Sequence, residues 1–228
     1  MKIDVKNVDF KYESTQILKN INFSINKGEI ISLIGPSGCG KTTILKVLLG
    51  FLKQNCGKVS CNPKKIKYSY MPQEDNLLSW KSIQNNIILP CIIRGEEKQE
   101  SIQMVLKYQK LFGLTGKLKC FPSQISVGMK KRAALFRTFL VGGSFWLLDE
   151  PFSSLDEITR AKMQVWLLKI QKKLGVGIII ITHSIREALL LSKRVYVLGK
   201  NPTTTLKVVQ TDLSNPTQKE MIFKLLKN

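Results

Sequence analysis

The sequence predicts an α/β fold, in which helices pack on a mostly parallel core sheet. A short apolar run at residues 29–34 leads into a glycine-rich loop and then into a helix that stops at Gly50. Continuous apolar runs at residues 145–148 and 177–181 are typical of buried parallel strands. Residues 2–34 contain strand-like alternation with no helix between the pieces. We therefore expect a small antiparallel sheet packed on the parallel core.

Length and composition are those of a globular protein. The chain has 228 residues, of which 43% are hydrophobic, enough to bury a sizeable core. No apolar run reaches about 18 residues, and the first residues lack the apolar stretch of a signal peptide. The five cysteines are scattered and odd in number, so they indicate neither a disulfide framework nor a metal site. We expect the protein to stay in the cytoplasm.

The formal net charge is +20, which can indicate a nucleic acid, anionic lipid or polyanionic partner. The lysines are spread along the whole chain, and no aromatic-rich RNA or DNA motif accompanies them. This distribution favours a generally basic surface, so no nucleic acid is expected as a partner. Contact with an acidic membrane surface stays open.

Secondary structure can be predicted in order along the chain. We expect a polar turn around Tyr12 between the first two strands, and a turn at Asn62-Pro63 between the next two. A mostly helical stretch follows from about residue 82 to residue 139, and strands then alternate with helices. The predicted strands are 3–8, 21–25, 58–61, 66–70, 145–148, 177–181, 194–198 and 206–209. The predicted helices are 42–49, 82–88, 96–112, 126–140, 156–174, 184–191 and 216–226.

The glycine-rich loop fits G-x-x-x-x-G-K-[ST], the phosphate-binding P-loop. Its glycines allow backbone N–H groups to converge on a triphosphate, and the new helix directs its partly positive end at the same anion. Lys41 can reach the β- and γ-phosphates, and the Thr42 hydroxyl can ligate Mg²⁺. The predicted nucleotide-binding residues of the loop are Gly35, Pro36, Ser37, Gly38, Cys39, Gly40, Lys41, Thr42 and Thr43.

Two carboxylates, Asp149 and Glu150, end the apolar run 145–148. In a P-loop protein this is the Walker B arrangement. Asp149 at the strand tip can hold Mg²⁺ directly or through water. Glu150 is suited to orient and deprotonate an attacking water molecule.

Taken together, the motifs resemble those of an ATP-binding cassette (ABC) ATPase over nearly the whole chain. They occur in that family's order: P-loop, Gln73, Ser126-Val127-Gly128-Met129, Asp149-Glu150-Pro151, Ser153-Ser154-Leu155-Asp156 and His183. The resemblance implies a P-loop NTPase fold of the ABC cassette type. Residues 1–228 would form one domain with a mostly parallel core sheet, a small antiparallel β subdomain and a helical subdomain inserted at about residues 74–140.

The resemblance also implies roles for individual residues around ATP and Mg²⁺. Tyr12 would stack on the adenine ring. Gln73 would contact Mg²⁺ and the hydrolytic water, and would sense the partner subunit. His183, the one histidine of the chain, would touch the γ-phosphate. Glu150 would be the general base.

Other residues would act across a dimer. Ser126 and Gly128 would begin the signature helix and meet ATP bound to the opposite subunit, and Asp156 would lie at the dimer seam. The resemblance therefore implies an ATP-dependent homodimer or a paired cassette. The signature departs from the usual Leu-Ser-Gly-Gly-Gln, because Val127 replaces its first glycine. A β-branched side chain where backbone should approach phosphate is expected to slow closure.

Residues 73–80, the Gly128-Met129 pair and residues 149–156 resemble the nitrate/sulfonate/taurine-type importer ATPases, a branch that includes transporters for thiamine-precursor pyrimidines. This implies a peripheral protein at the cytoplasmic face of the membrane, bound to permease subunits that receive solute from an extracytoplasmic binding protein. Leu77, Leu78 and Trp80 would line the groove for the permease, or else would join the core.

Other classes stay open at this stage. The chain could be a cytoplasmic ABC ATPase without a permease, the ATPase of an exporter, or a non-hydrolysing binding module. A repair ATPase would need a long coiled-coil insertion, and a translation factor would need two cassettes, neither of which is present in the sequence. The solute would not touch this chain, so its residues cannot identify the solute.

Overall fold

The structure is a computed structural model, and it describes residues 1–63, 66–199, 202–211, 221, 222 and 226. Along the chain the elements are β1 (Lys2–Tyr12), β2 (Thr15–Asn26), β3 (Ile30–Ile34), α1 (Lys41–Leu48), β4 (Cys56–Asn62), β5 (Tyr68–Met71), α2 (Ile83–Ile93), α3 (Lys98–Tyr108), a 3-10 turn (Pro122–Gln124), α4 (Val127–Leu140), β6 (Phe145–Asp149), α5 (Glu157–Leu174), β7 (Gly177–Thr182), α6 (Ile185–Leu191), β8 (Arg194–Leu198) and β9 (Thr205–Gln210).

The core sheet has the strand order β5-β6-β7-β3-β8-β9. All neighbours pair in parallel except β9, which runs antiparallel to β8, so the predicted mostly parallel sheet is confirmed. Side chains alternate between its two faces because of the pleat. On β6, Phe145 and Leu147 pack with α1 and the N-terminal strands, whereas Trp146 and Leu148 pack with the helical part of the chain. Both faces are buried, which explains the continuous apolar runs.

The predicted antiparallel sheet is also confirmed, with strand order β2-β1-β4. The prediction for Tyr12 was wrong in one respect, because this residue ends β1 and pairs with Thr15 instead of lying in the turn. The turn consists of residues 13 and 14. Tyr12 stays in the strand because its ring packs edge-on against Phe10, with ring centroids 4.7 Å apart.

The helical stretch between β5 and β6 contains α2, α3 and α4, close to the predicted positions. The predicted helix 96–112 was too long, because α3 ends at Tyr108 and the chain turns before Gly113, which has a φ of 65°. Phe112 then folds back onto Phe136 of α4, with parallel rings whose centroids are 4.2 Å apart. The single domain over residues 1–228 with an insertion at 74–140 stays a prediction.

The late strands β8 and β9 agree with the predicted strands 194–198 and 206–209. The predicted helix 216–226 falls mostly outside the described residues. No helix in the described part of the chain is long and apolar enough to cross a membrane. All five cysteines are free thiols, as expected from their spacing.

Candidate active site

Four parallel strands of the core sheet direct their carboxyl ends toward one polar cavity of about 550 Å³. β3 runs into the P-loop, β6 ends at Asp149, β7 is followed by His183, and β5 is followed by Gln73. Ligands of such sheets bind at this edge. The lining residues are Ser37, Gly38, Gly40, Lys41, Thr42, Thr43, Gln73, Glu150, Ile181 and His183.

The P-loop needs glycine where it meets α1. Gly40 has a φ of 96°, and an added Cβ would lie 2.9 Å from Ile17. Only glycine adopts this conformation readily in so small a space. The first residue of α1, Lys41, is 6% exposed, and its Nζ donates hydrogen bonds to the carbonyls of Gly35 (2.9 Å) and Pro36 (2.7 Å). These bonds hold the ammonium group within the loop, where phosphate oxygens could take over as its partners.

Thr42 and Asp149 provide two oxygens suited to a divalent cation. The Thr42 hydroxyl donates a 2.7 Å hydrogen bond to Asp149 Oδ2, which is almost fully buried. Burial, more than any neighbour, raises the pKa of Asp149, so a bound cation would stabilise its charged form. Mg²⁺ prefers such oxygens and takes many of its ligands from water and phosphate. Among the described residues, no group of three or more His, Cys, Asp and Glu is suited to a metal. The Thr42–Asp149 pair nevertheless fits Mg²⁺, because water and phosphate would supply its remaining ligands.

Glu150, Gln73 and His183 meet at one carboxylate oxygen. Glu150 Oε2 accepts a hydrogen bond from Gln73 Nε2 (3.2 Å) and lies 3.5 Å from His183 Nδ1. Glu150 has a φ of 45°, a left-handed conformation that costs a non-glycine residue roughly 1–3 kcal/mol. Its N–H donates to the carbonyl of Ile181, which holds this conformation in place. The arrangement presents a carboxylate at the cavity, where it could take a proton from water.

The remaining residues predicted from the sequence do not line this cavity. Ser126 caps α4 by accepting from the Met129 N–H, and Asp156 caps α5 by accepting from the Thr159 N–H, a bond that lowers the pKa of Asp156. Gly128 allows α4 to approach α5, because an added Cβ would lie 2.9 Å from Thr159. Tyr12 is 44% exposed and also lies outside the cavity lining.

Sequence reasoning missed three residues around the site. Tyr70 on β5 lies beside Asp149, and burial together with that carboxylate raises the pKa of Tyr70 to about 12. Lys131 on α4 donates to the Gln73 carbonyl. Glu187 on α6 is buried against the strand end that precedes His183. The sequence signals only that Lys131 and Glu187 share a helical face with apolar residues, and this does not show what contacts them.

A buried lysine in a glycine-rich loop, a cavity lined by Glu150, and Asp149 bonded to Thr42 of the loop together define a P-loop nucleotide-binding protein. A family model described as ABC transporter matches residues 18–153. The chain therefore belongs to the ABC transporter family, as one of its ATP-binding cassettes, and it is an ATPase.

Two import ATP-binding proteins resemble the chain over most of its length. The formylaminopyrimidine import ATP-binding protein of Halalkalibacterium halodurans is 35% identical over 204 residues, covering 89% of this chain and 82% of that protein. The taurine import ATP-binding protein of Pelagibacter ubique is 37% identical over 197 residues, covering 84% and 74%. The predicted resemblance to this importer branch is confirmed.

Among solved structures, a dimeric ATP-binding cassette in a post-hydrolysis state bound to ADP and phosphate is similar. It has a TM-score of 0.77 and 25% identity, covering 92% of this chain and 99% of its own. The predicted fold, a P-loop NTPase of the ABC cassette type, is confirmed.

Proposed function

We propose that the chain is the ATP-hydrolysing subunit of an ABC importer, formed as one cassette domain over residues 1–228 with a helical insertion at about 74–140. It energises uptake of a small solute through a separate membrane permease. The observation that carries the hydrolytic role is the convergence of Gln73 and His183 on Glu150 beside the P-loop cavity. The import role is supported by the names of the formylaminopyrimidine and taurine relatives.

Hydrolysis proceeds by in-line attack of water on the γ-phosphorus, which breaks the β–γ bond of ATP. Glu150 accepts a proton from the water, and Gln73 and His183 orient the groups around it. Lys41 and the backbone N–H groups of residues 35–43 bind the phosphates and stabilise the charge that develops on them. Thr42, Asp149 and Gln73 would hold Mg²⁺, and the ion would supply neutralisation of phosphate charge.

The predicted site residues that lie outside the cavity also contact nucleotide in this proposal. Tyr12 stacks on adenine. Ser126, Gly128 and Asp156 contact ATP held by a second cassette, either another copy of this chain or a paired one. A dimeric arrangement is supported by the similar cassette whose solved structure is a dimer. ATP then bridges two subunits, and its binding and release close and open the pair.

The permease would dock near the segment that follows Gln73. Trp80 is 71% exposed there, whereas Leu77 packs against the core and Leu78 is half-buried. Leu77 therefore joins the core, whereas Trp80 is available for contact with the permease. The protein would lie at the cytoplasmic face of the membrane, and an extracytoplasmic binding protein would deliver a solute of the sulfonate, taurine, nitrate or thiamine-precursor type.

The hydrolytic role is tested with Glu150→Gln. We expect ATP binding to be retained and steady-state turnover to fall by on the order of a hundredfold or more, because the amide cannot accept the proton. Glu100→Gln, on the exposed side of α3, is the matched control and should hydrolyse ATP at the normal rate. Near-normal turnover by Glu150→Gln would contradict the role of general base.

The transport role is tested by purifying the chain from detergent-solubilised membranes of its host and identifying what accompanies it. A multi-span permease, with or without a solute-binding protein, is the expected result. Recovery without any membrane partner would leave the ATPase activity standing and would assign the chain to the cytoplasmic ABC ATPases instead.

A further inference from the structure

Two cations of α4 hold the segment that follows Gln73. Lys131 is 2% exposed, and its Nζ lies 2.8 Å from the Gln73 carbonyl oxygen and 2.9 Å from Asp75 Oδ1. Arg137 donates to the carbonyls of Asp75 (2.5 Å) and Asn76 (2.7 Å). The backbone of residues 73–76 is therefore attached to α4 by side chains at two points.

The other end of the segment is attached to α2. Asn86 is fully buried, its Oδ1 accepts from the Leu78 N–H (2.6 Å), and its Nδ2 donates to the Leu78 carbonyl (3.0 Å). Displacement of the segment from the helical region would break several charge-assisted or buried hydrogen bonds. Each such bond is costly to leave unmade. Residues 73–78 should therefore move together with α2 and α4.

Gln73 belongs both to the segment attached to α4 and to the group of side chains around Glu150. Lys131 contacts the main-chain carbonyl of Gln73, while the side-chain amide of the same residue donates to Glu150. A shift of that carbonyl would carry the amide away from the carboxylate. Lys131 also lies in the helix capped by Ser126, which starts where the signature motif lies.

We infer that Lys131 is a positioning residue for ATP hydrolysis, which holds the backbone of Gln73 so that its amide stays on Glu150. It thereby links the position of the signature helix to the group that orients the attacking water. This role rests on the proposed function of the same site. Lys131 itself does not line the cavity, so it would act through Gln73 and not by contact with ATP.

The choice of a buried lysine supports a geometric role. Placing an ammonium group inside a protein is costly unless its partners are well placed. Here the Gln73 carbonyl accepts a hydrogen bond from Lys131 and the Asp75 carboxylate lies 2.9 Å away as an ion-pair partner, so displacement of the carbonyl would cost the ammonium group its hydrogen bond. A neutral apolar side chain of similar length would fill the space without fixing the carbonyl.

The test is Lys131→Met, assayed for steady-state ATP hydrolysis together with Gln73→Ala and the double variant. We expect kcat to fall on the order of tenfold with KM for ATP nearly unchanged, since the P-loop contacts are intact. The double variant should be no slower than Gln73→Ala, because Lys131 acts through Gln73. Lys107→Met, an exposed lysine of α3, is the matched control for loss of one charge.

Unchanged kcat in Lys131→Met, or losses that multiply in the double variant, would overturn the inference. If Lys131→Met does not fold, Asp75→Asn is added to it so that both charges of the ion pair are removed. This variant then replaces Lys131→Met in the comparison with wild type and in the combination with Gln73→Ala. A wild-type chain without ATPase activity, or full activity in Glu150→Gln, would instead refute the proposed function, so the two failures are distinguishable.

Discussion

Val127 is the residue at which the signature departs most from its family. It is 46% exposed at the first position of α4, so its side chain projects from the surface that we propose meets the second cassette's ATP. We expect Val127→Gly to raise the rate of ATP turnover by a few-fold, because the backbone could then approach phosphate more closely. Steady-state hydrolysis measured above the dimerisation concentration would check this, and an unchanged or lower rate would contradict it.

Glu187 is a buried acid whose raised pKa should make stability depend on pH. Burial, more than any neighbour, raises its pKa from near 4.5 to about 7, against the opposing effects of Thr182 and Arg160. Its Oε1 has no hydrogen-bond partner among the described residues. Because the folded state holds this proton more tightly than the unfolded state, the contribution of Glu187 to stability is present below about pH 4.5 and is lost as pH rises through about 7.

Replacing Glu187 by Gln should remove that pH dependence. Urea unfolding at several pH values would measure it: the stability of the variant relative to wild type should increase as pH rises between about 4.5 and 7. Glu100→Gln, the same change at an exposed acid, is the control variant. A constant difference between Glu187→Gln and wild type would show that the carboxyl titrates normally.

Residues differ in how far the sequence predicts their place. Gly40 and Lys41 could be predicted because a local pattern fixes a loop that only glycine can form. Lys131 could not, because its partners Gln73 and Asp75 are far away in the chain and become neighbours only when α4 packs beside β5. Glu187 could not either, since α6 alone does not show what buries its carboxyl group.

Among the elements, α4 packs against a cluster of aromatic rings around Phe112. Phe112 is fully buried, stacks on Phe136, and meets Trp166 edge-on at 5.7 Å. We expect Phe112→Ala to lower the free energy of unfolding by about 3–5 kcal/mol, because it opens a cavity among these rings. Urea denaturation would measure this loss. Phe51 is 70% exposed, so Phe51→Ala is the control and should change the free energy of unfolding by less than about 0.5 kcal/mol. A loss below about 1 kcal/mol in Phe112→Ala would mean that the rings repack.

The types of most elements follow from periodicity, whereas their ends depend on contacts. β6 and β7 could be predicted because both faces of the core sheet are buried. The end of β1 at Tyr12 depends on its pairing with Thr15 and on the ring of Phe10. The end of α3 at Tyr108 depends on Phe112 packing onto Phe136, a contact that the sequence around α3 does not indicate.

For the whole molecule, charge should govern association. Each chain carries a formal +20, so two copies should repel one another before the proposed ATP-bridged dimer can form. We expect the ATP-dependent dimer of Glu150→Gln to tighten as salt is raised from about 0.01 M to 0.15 M, because the Debye length falls from roughly 30 Å to 8 Å. Sedimentation velocity in ATP and magnesium would test this, and a dimer that weakens with salt would indicate attractive ion pairs across the interface.

Ser126, which caps α4, does not line the P-loop cavity of its own chain, so Lys41 and Ser126 would contribute to different nucleotides. Two inactive variants could then repair each other. In a mixed dimer of Lys41→Ala and Ser126→Ala subunits, one site loses both groups, but the other receives an intact lysine from one chain and an intact serine from its mate. Intragenic complementation would therefore be built into the architecture, and co-expressing two null alleles could restore transport that neither supports alone.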